Sequence, residues 1–324
     1  MDERARAWFG RRTSTAADWP VQRCLELKRA SGTSISVVVP ARDEAPTIGD
    51  VVSTLRSALV DDVPLVDELV VIDSDSTDGT AEAARRAGAR VHASKEVAPG
   101  LGSLPGSGEA LWKSQLVTSG ELLVFVDADL TRFGPHFVTG LVGPLLADPE
   151  VMLVKGFYDR VLTADGARST QGGRVTELVA RPLLSLWWPQ LAAVVQPLAG
   201  EWALRRSLAR ELPFPAGYGV ELATLLDTEA RYGLDAVAQV DLGSRAHQHQ
   251  AVHDLAVMAG ELLAVADARS PSPRGVGERP LLHQYVRGVG DPWRARPVPV
   301  AERPPLATVT GAGRWTAGEQ EAPC

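Results

Sequence analysis

Apolar and polar residues fall into repeating blocks along the first half of the chain. Residues 35–39 are apolar apart from Ser36, β-branched and closed by Pro40, the pattern of a buried strand. An amphipathic helix is expected over 47–59, a second strand over 68–73, and a helix over 80–88 that stops at Gly88. The rhythm then repeats, with a short strand around Val91, a helix over 108–119 and a buried strand over 121–127 that ends in aspartate. Strands alternating with helices predict a mostly parallel α/β sheet covered by helices on both faces. Beyond residue 148 the pattern loosens. Strands are expected at 151–158 and 236–240, and helices at 175–186, 220–232 and 252–268. From residue 270 Pro, Gly and Arg dominate, which predicts an irregular tail, or one ordered by docking on the body or on a second subunit. The organisation read from this is an N-terminal helical segment (1–34), two halves of one α/β unit (35–150 and 151–269) and the tail (270–324).

Composition narrows the class. With 324 residues, 45% of them hydrophobic, the chain can build an ordinary packed core. A net charge of −7 and a pI near 5.5 argue against a nucleic-acid binder, which would need a basic face. The two cysteines, Cys24 and the terminal Cys324, suggest neither a disulfide framework nor a zinc site. The start of the chain interleaves charges with isolated apolar residues, unlike a secretory leader. The apolar stretch 182–200 is broken by Pro189, Gln190 and Pro197, unlike a membrane span. A soluble, cytoplasmic protein is therefore expected.

Candidate chemistry gathers at the ends of the expected strands, where ligands bind in an open parallel sheet. Pro40-Ala-Arg-Asp-Glu44 follows the first strand, Asp73-Ser-Asp-Ser-Thr-Asp-Gly79 the second, and Asp127-Ala128-Asp129 the strand before residue 130. An Asp-x-Asp after a buried strand offers hard oxygen ligands on one side of the chain, suited to Mg²⁺ or Mn²⁺ beside a diphosphate; a solvated turn has the same tripeptide. Arg245-Ala-His247-Gln-His249 alternates, so an extended segment turns its three basic groups one way; an imidazole could complete a metal site and the arginine grip a phosphate, or the group could be an ordinary surface loop. Gly172-Gly-Arg-Val-Thr176 opens a helix and offers free N–H groups to an anion. Gly217-Tyr-Gly-Val-Glu221 places a carboxylate at another helix start, where Glu is also an ordinary dipole partner.

Together these segments resemble the glucosyl-3-phosphoglycerate synthases of actinobacteria, retaining glycosyltransferases of the GT-A fold. The likeness runs over roughly 19–250 and rests on Ser36-Val-Val-Val-Pro-Ala41, Val66-Asp-Glu-Leu-Val-Val-Ile-Asp73, Gly108-Glu-Ala-Leu-Trp112, Asp127-Ala-Asp129, Gln171-Gly-Gly-Arg-Val-Thr-Glu-Leu-Val-Ala-Arg-Pro182, Gln196-Pro-Leu and Phe214-Pro-Ala-Gly-Tyr-Gly-Val-Glu221. The resemblance implies a nucleotide diphosphate glucose donor, usually UDP-glucose, an acceptor 3-phosphoglycerate linked through its 2-hydroxyl with retention, and a homodimer. It implies donor contacts at Pro40, Ala41, Glu44, Ser74, Asp127, Ala128, Tyr218 and Arg245, and acceptor contacts at Gly173, Arg174 and Thr176. Asp129 and His247 would hold Mg²⁺ or Mn²⁺, while Glu221, Asp127 and Arg245 would form the reacting centre, with Glu221 positioning or stabilising charge.

Three departures bear on the donor. Ser107 stands where the family pattern has a donor-binding lysine, a loss of about 1.5 to 3 kcal/mol for one charge-assisted contact. Arg42-Asp43 replaces Leu-Asn, and Asp75 replaces a glycine. These changes point to a different sugar nucleotide or phosphorylated acceptor as one alternative, and to a catalytically silent nucleotide-sugar-binding relative as another. The presence of Asp127, Asp129 and His247 argues against silence.

Overall fold

The computed structural model describes residues 2–131, 133–162, 173–247, 252–275, 277–285 and 293–309, without the side chains of 160–162, 246, 247, 252, 285 and 293. Its strands are β1 (Thr13–Thr15), β2 (Ile35–Ala41), β3 (Glu68–Asp73), β4 (Arg90–Ala93), β5 (Leu122–Phe125), β6 (Leu153–Leu162), β7 (Trp202–Arg205), β8 (Phe214–Pro215), β9 (Val237–His247), β10 (Leu281–Tyr285), β11 (Trp293–Pro297) and β12 (Glu302–Arg303). Its α-helices are α1 (Glu3–Arg12), α2 (Val21–Ser31), α3 (Ile48–Arg56), α4 (Thr80–Arg86), α5 (Ser107–Val117), α6 (His136–Ala147), α7 (Arg181–Trp187), α8 (Arg206–Glu211), α9 (Val220–Tyr232) and α10 (Val252–Ala268).

Eight strands form one sheet in the order β1-β9-β6-β7-β5-β2-β3-β4. All run parallel except β7, which lies antiparallel between β5 and β6. The central strands are apolar on both faces because helices cover both. On one face α5, α8, α9 and α1 bury Trp112, Leu208, Leu222 and Trp8 against Val38, Phe125 and Trp202. On the other, α2, α3, α4 and α6 bury Cys24, Leu55, Ala84 and Phe137 against Val37, Val124 and Ala203. The sheet crosses residue 150 without interruption, and the N-terminal segment contributes β1 as well as helices, paired along β9.

Two details of this sheet build the crevice at the carboxyl ends of its parallel strands. Because β7 runs backwards, Trp202 pairs with Phe125, so the residues just before β7 reach the same rim as those just after β5. In β9 the register slips by one residue between the pairs Phe157↔Asp241 and Asp159↔Ser244. Gly243 adopts φ +86° there and its N–H is held by Asp241 Oδ1 at 2.9 Å. An extra residue in one strand inverts the alternation beyond it, so Arg245 faces the side that Leu242 faces.

The tail is not irregular where it is described. β10 and β11 form an antiparallel pair, and β12 pairs with β8. Of the two outcomes that the composition left open, the described part takes the second, order from docking on the body: Ala216 N–H donates to Ala301 O at 3.0 Å and Trp112 Nε1 to Pro304 O at 2.9 Å.

Candidate active site

The three polar loops expected to converge do so. After β2, the backbone N–H groups of Asp43, Glu44 and Ala45 donate to Ser76 Oγ, Thr80 Oγ1 and Asp78 Oδ2 at 2.8–3.0 Å, and Asp43 Oδ1 accepts from Thr77 N. Ser74 N–H donates to Ala41 O at 2.9 Å, which carries the β2–β3 ladder one step past the strands. Pro40, Ala41, Glu44 and Ser74 therefore sit on one lip. Asp43 (φ +55°) and Asp75 (φ +60°) occupy the left-handed region, which aspartate tolerates better than most residues and glycine best, so Asp75 fits a site suited to glycine. Its added charge is met by Lys95 at 3.2 Å. Burial and the nearby Asp129 and Asp127 push the Glu44 carboxyl up.

Beyond β5, Asp127 and Asp129 meet Arg245, which is buried. Its Nη1 lies 2.9 Å from Asp127 Oδ2, 2.9 Å from Glu201 Oε1 and 2.8 Å from the Tyr158 hydroxyl; its Nη2 lies 2.6 Å from Asp129 Oδ1. The guanidinium also stands 5.5 Å from the Tyr158 ring centroid. Gln196 holds Tyr158 through its backbone, accepting from N and donating to O. Gly200 is required beside Asp127, since a Cβ there would collide with the carboxylate oxygens. Burial raises Glu201 to about 7, with Arg245 opposing and Asp127 adding to the rise, while the surrounding acids hold Arg245 protonated against burial.

On the opposite face of the sheet stands a second charge pair. Lys155, fully buried in β6, donates to Ala199 O at 2.9 Å and lies 5.3 Å from the Trp202 ring. Burial brings it down to about 8, against the pull of Glu221, Glu201 and Asp127. Glu221, in the first turn of α9, is raised to about 8 by burial, with Lys155 opposing, and its Oε2 has no hydrogen-bond partner among the described residues. Tyr218 N–H donates to Glu261 Oε2 at 2.7 Å, which fixes the turn leading into Glu221.

Tyr158, Glu201 and Lys155 are absent from the sequence reading. Lys155 had a legible signal, a lone cation inside an apolar strand, and such a residue is buried only when paired. Glu201 had none, because the reversed strand that delivers it was not foreseen. Gly173, Arg174 and Thr176 open a helical turn that continues as a π-helix over Thr176–Ala180 into α7; Arg174 is exposed and Thr176 buried. His247 is the last residue of β9, two after Arg245; its side chain, and His249 altogether, lie outside the described residues. Lys113 does not stand in for a lysine at 107, since it is fully buried against Ser94 O (2.7 Å) and Glu109 (3.3 Å).

Two cations, Arg245 and Lys155, thus face four carboxylates, Asp127, Asp129, Glu201 and Glu221, a formal excess of two negative charges in a mostly buried space. Among the described residues no three His, Cys, Asp or Glu side chains form a ready cation cage. Even so, half-exposed Asp127 and Asp129 oxygens beside this surplus of carboxylates fit a hard divalent ion, whose charge would oppose the effect of burial on the glutamates.

The family model described as "Glycosyl transferase family 2" matches residues 36–187. The chain is 45% identical over 307 residues to the glucosyl-3-phosphoglycerate synthase of Mycolicibacterium paratuberculosis, covering 93% of this chain and 92% of that one. It is 45% identical over 246 residues to the enzyme of the same name from Petrotoga mobilis, covering 76% of each. Among solved structures, glucosyl-3-phosphoglycerate synthase from Mycobacterium tuberculosis in complex with Mn²⁺, UDP-glucose and phosphoglyceric acid matches with a TM-score of 0.78 at 44% identity, covering 89% of this chain and 94% of that one. The sheet order and its helical layers are accordingly those of the expected GT-A fold. No helix among the described residues is long and apolar enough to cross a membrane. Likeness of this degree, along nearly the whole of both chains and on one fold, means that the chain belongs to the glucosyl-3-phosphoglycerate synthase family.

Proposed function

We infer that the protein is a hexosyltransferase that moves glucose from UDP-glucose to the 2-hydroxyl of 3-phosphoglycerate, giving glucosyl-3-phosphoglycerate and UDP with retained anomeric configuration. The observation that carries this reading is the Arg245-centred cluster of carboxylates at the rim where the ends of β2, β3 and β5 converge. Pro40, Ala41, Glu44 and Ser74 form the nucleotide lip, with Asp127 and Ala128 next along it. Tyr218 and Glu221 border the glucose, and Gly173, Arg174 and Thr176 receive the acid. Asp129 and His247 would hold Mg²⁺ or Mn²⁺, and the ion, when bound, supplies positive charge beside the diphosphate.

The anomeric C–O bond to the diphosphate breaks, the acceptor 2-hydroxyl oxygen bonds to the same carbon from the same face, and its proton passes to the leaving diphosphate. Arg245, anchored by Glu201 and Tyr158, directs fixed positive charge at the oxygen that becomes negative. Glu221, raised to about 8 by burial in the metal-free site, positions the sugar or stabilises charge there. Lys95 neutralises Asp75, which favours retention of UDP-glucose as donor despite Ser107. Exposed Leu178, Leu186 and Trp187 on one helical stretch support pairing of two copies, and the charged substrates imply a cytoplasmic setting.

The test is product mass with 3-phosphoglycerate, Mg²⁺ and UDP-glucose, GDP-glucose, ADP-glucose or GDP-mannose, with Ser107→Lys in parallel. UDP-glucose is expected to give product with the native chain. Product from another donor alone reassigns the donor, and product only after Ser107→Lys marks the native chain as silent.

A further inference from the structure

The tail segment around β12 joins both sides of the donor crevice. Arg303 forms a two-pronged pair with Glu109, Nε to Oε2 and Nη2 to Oε1, both 2.7 Å, and also donates to Leu101 O (2.9 Å) and Gly102 O (3.2 Å). Its guanidinium lies 5.1 Å from the Trp112 ring centroid, while Trp112 Nε1 donates to Pro304 O. Glu109 is buried in the first turn of α5, and burial alone would raise its pKa; the hydrogen bonds of Arg303, a hydrogen bond from the Leu104 N–H and the charges of Arg303 and Lys113 bring it down instead. Lys113 in turn donates to Ser94 O, beside the Lys95 that pairs with Asp75 on the nucleotide lip.

The same segment grips the other lip. β12 pairs with β8, and Ala216 N–H donates to Ala301 O, immediately before the turn that presents Tyr218 and Glu221. Glu109 N–H donates to Ala216 O at 3.0 Å, and the backbone at Gly106 and Gly108 lies against Pro215 and Ala216 with no room for a Cβ. Arg269 holds the segment from behind, donating to Asp227 and to Glu302.

We propose that Arg303 is a positioning residue for donor binding, a clasp from the tail that fixes the loop 101–109 against the turn 215–221. The proposal rests on the glucosyl-transfer reading above. Every described hydrogen bond of its guanidinium goes to that loop or to Glu109, so it acts through the loop, which in this chain has Ser107 and no lysine to reach the diphosphate. A two-pronged arginine pair fixes direction as well as distance, which a lysine cannot reproduce in full.

Arg303→Ala, Arg303→Lys and Glu109→Gln are compared with the native chain for kcat, for KM of each substrate, for UDP affinity by calorimetry with Mn²⁺, and for hydrogen exchange over 101–109. In Arg303→Ala the KM for UDP-glucose and the Kd for UDP are expected to rise about tenfold, with kcat and the KM for 3-phosphoglycerate changed by less than about threefold. Exchange over 101–109 should quicken, and Arg303→Lys should recover part of each effect. An unchanged UDP-glucose KM overturns the proposal, and so does an equal rise in both KM values, which marks general loss of structure. If Arg303→Ala does not fold, Arg303→Lys and Glu109→Gln decide by the same split. UDP affinity needs no turnover, so an inactive native chain that binds UDP sinks only the reaction assigned above; a native chain that does neither overturns both.

Discussion

Arg245 illustrates how much of the crevice one side chain can tie together. Its two terminal nitrogens span two aspartates, a glutamate and a tyrosine, a geometry that depends on a planar fork. Lysine at this position keeps the charge and can reach only part of that set. Arg245→Lys is therefore expected to lower kcat/KM by about a hundredfold, near 3 kcal/mol of transition-state stabilisation, in steady-state assays with UDP-glucose. Arg245 was legible in the sequence as a strand-end arginine. Its partner Glu201 was not, because nothing in Gly200-Glu201-Trp202 distinguishes a strand running backwards, and the one-residue slip near Gly243 leaves no mark in the pattern of apolar residues.

At the scale of elements, α5 shows how close approach is written into small residues. Its second residue, Gly108, touches the carbonyl of Pro215, and a methyl group there would collide with backbone, which cannot swing aside as a side chain would. Gly108→Ala should destabilise the protein by about 2 to 3 kcal/mol, read as a lower urea midpoint at unchanged slope. The elements with clear periodicity were legible from residues alone: α9 and α10 span the ranges expected for them, and β3 likewise. Among the elements that were missed, two show the physical reasons. α6 is buried on nearly every side and carries Gly140, Gly143 and Pro144, so it has no polar face to reveal a helical period. β7 is four residues long and runs straight into α8, too short for any alternation to register.

The whole molecule carries a concentrated negative charge at its crevice, and this links stability to pH and metal. Glu221 is raised to about 8 from an ordinary value near 4.5, so the folded state holds a proton that the unfolded state has released. Its contribution is complete below pH 4.5 and is lost as pH rises towards 8. Lys155, lowered to about 8, acts in the opposite sense but only above that pH. Metal-free native protein should thus lose on the order of 2 kcal/mol relative to Glu221→Gln between pH 5 and 8, measured by denaturant unfolding, and Mn²⁺ should shrink that loss.

The reversed strand has a consequence for how such a molecule can change. β6 and β7 are antiparallel neighbours joined at Lys155↔Trp202, so the chain that leaves after β6 and returns before β7 exits and re-enters at one rim. Topologically that excursion, which carries Gly173, Arg174 and Thr176, is the loop of a single hairpin. Lengthening or shortening it rethreads no other strand, so β2, β3 and β5 can keep their register while the excursion changes, provided that its core residues Leu184, Leu191 and Leu198 stay in place.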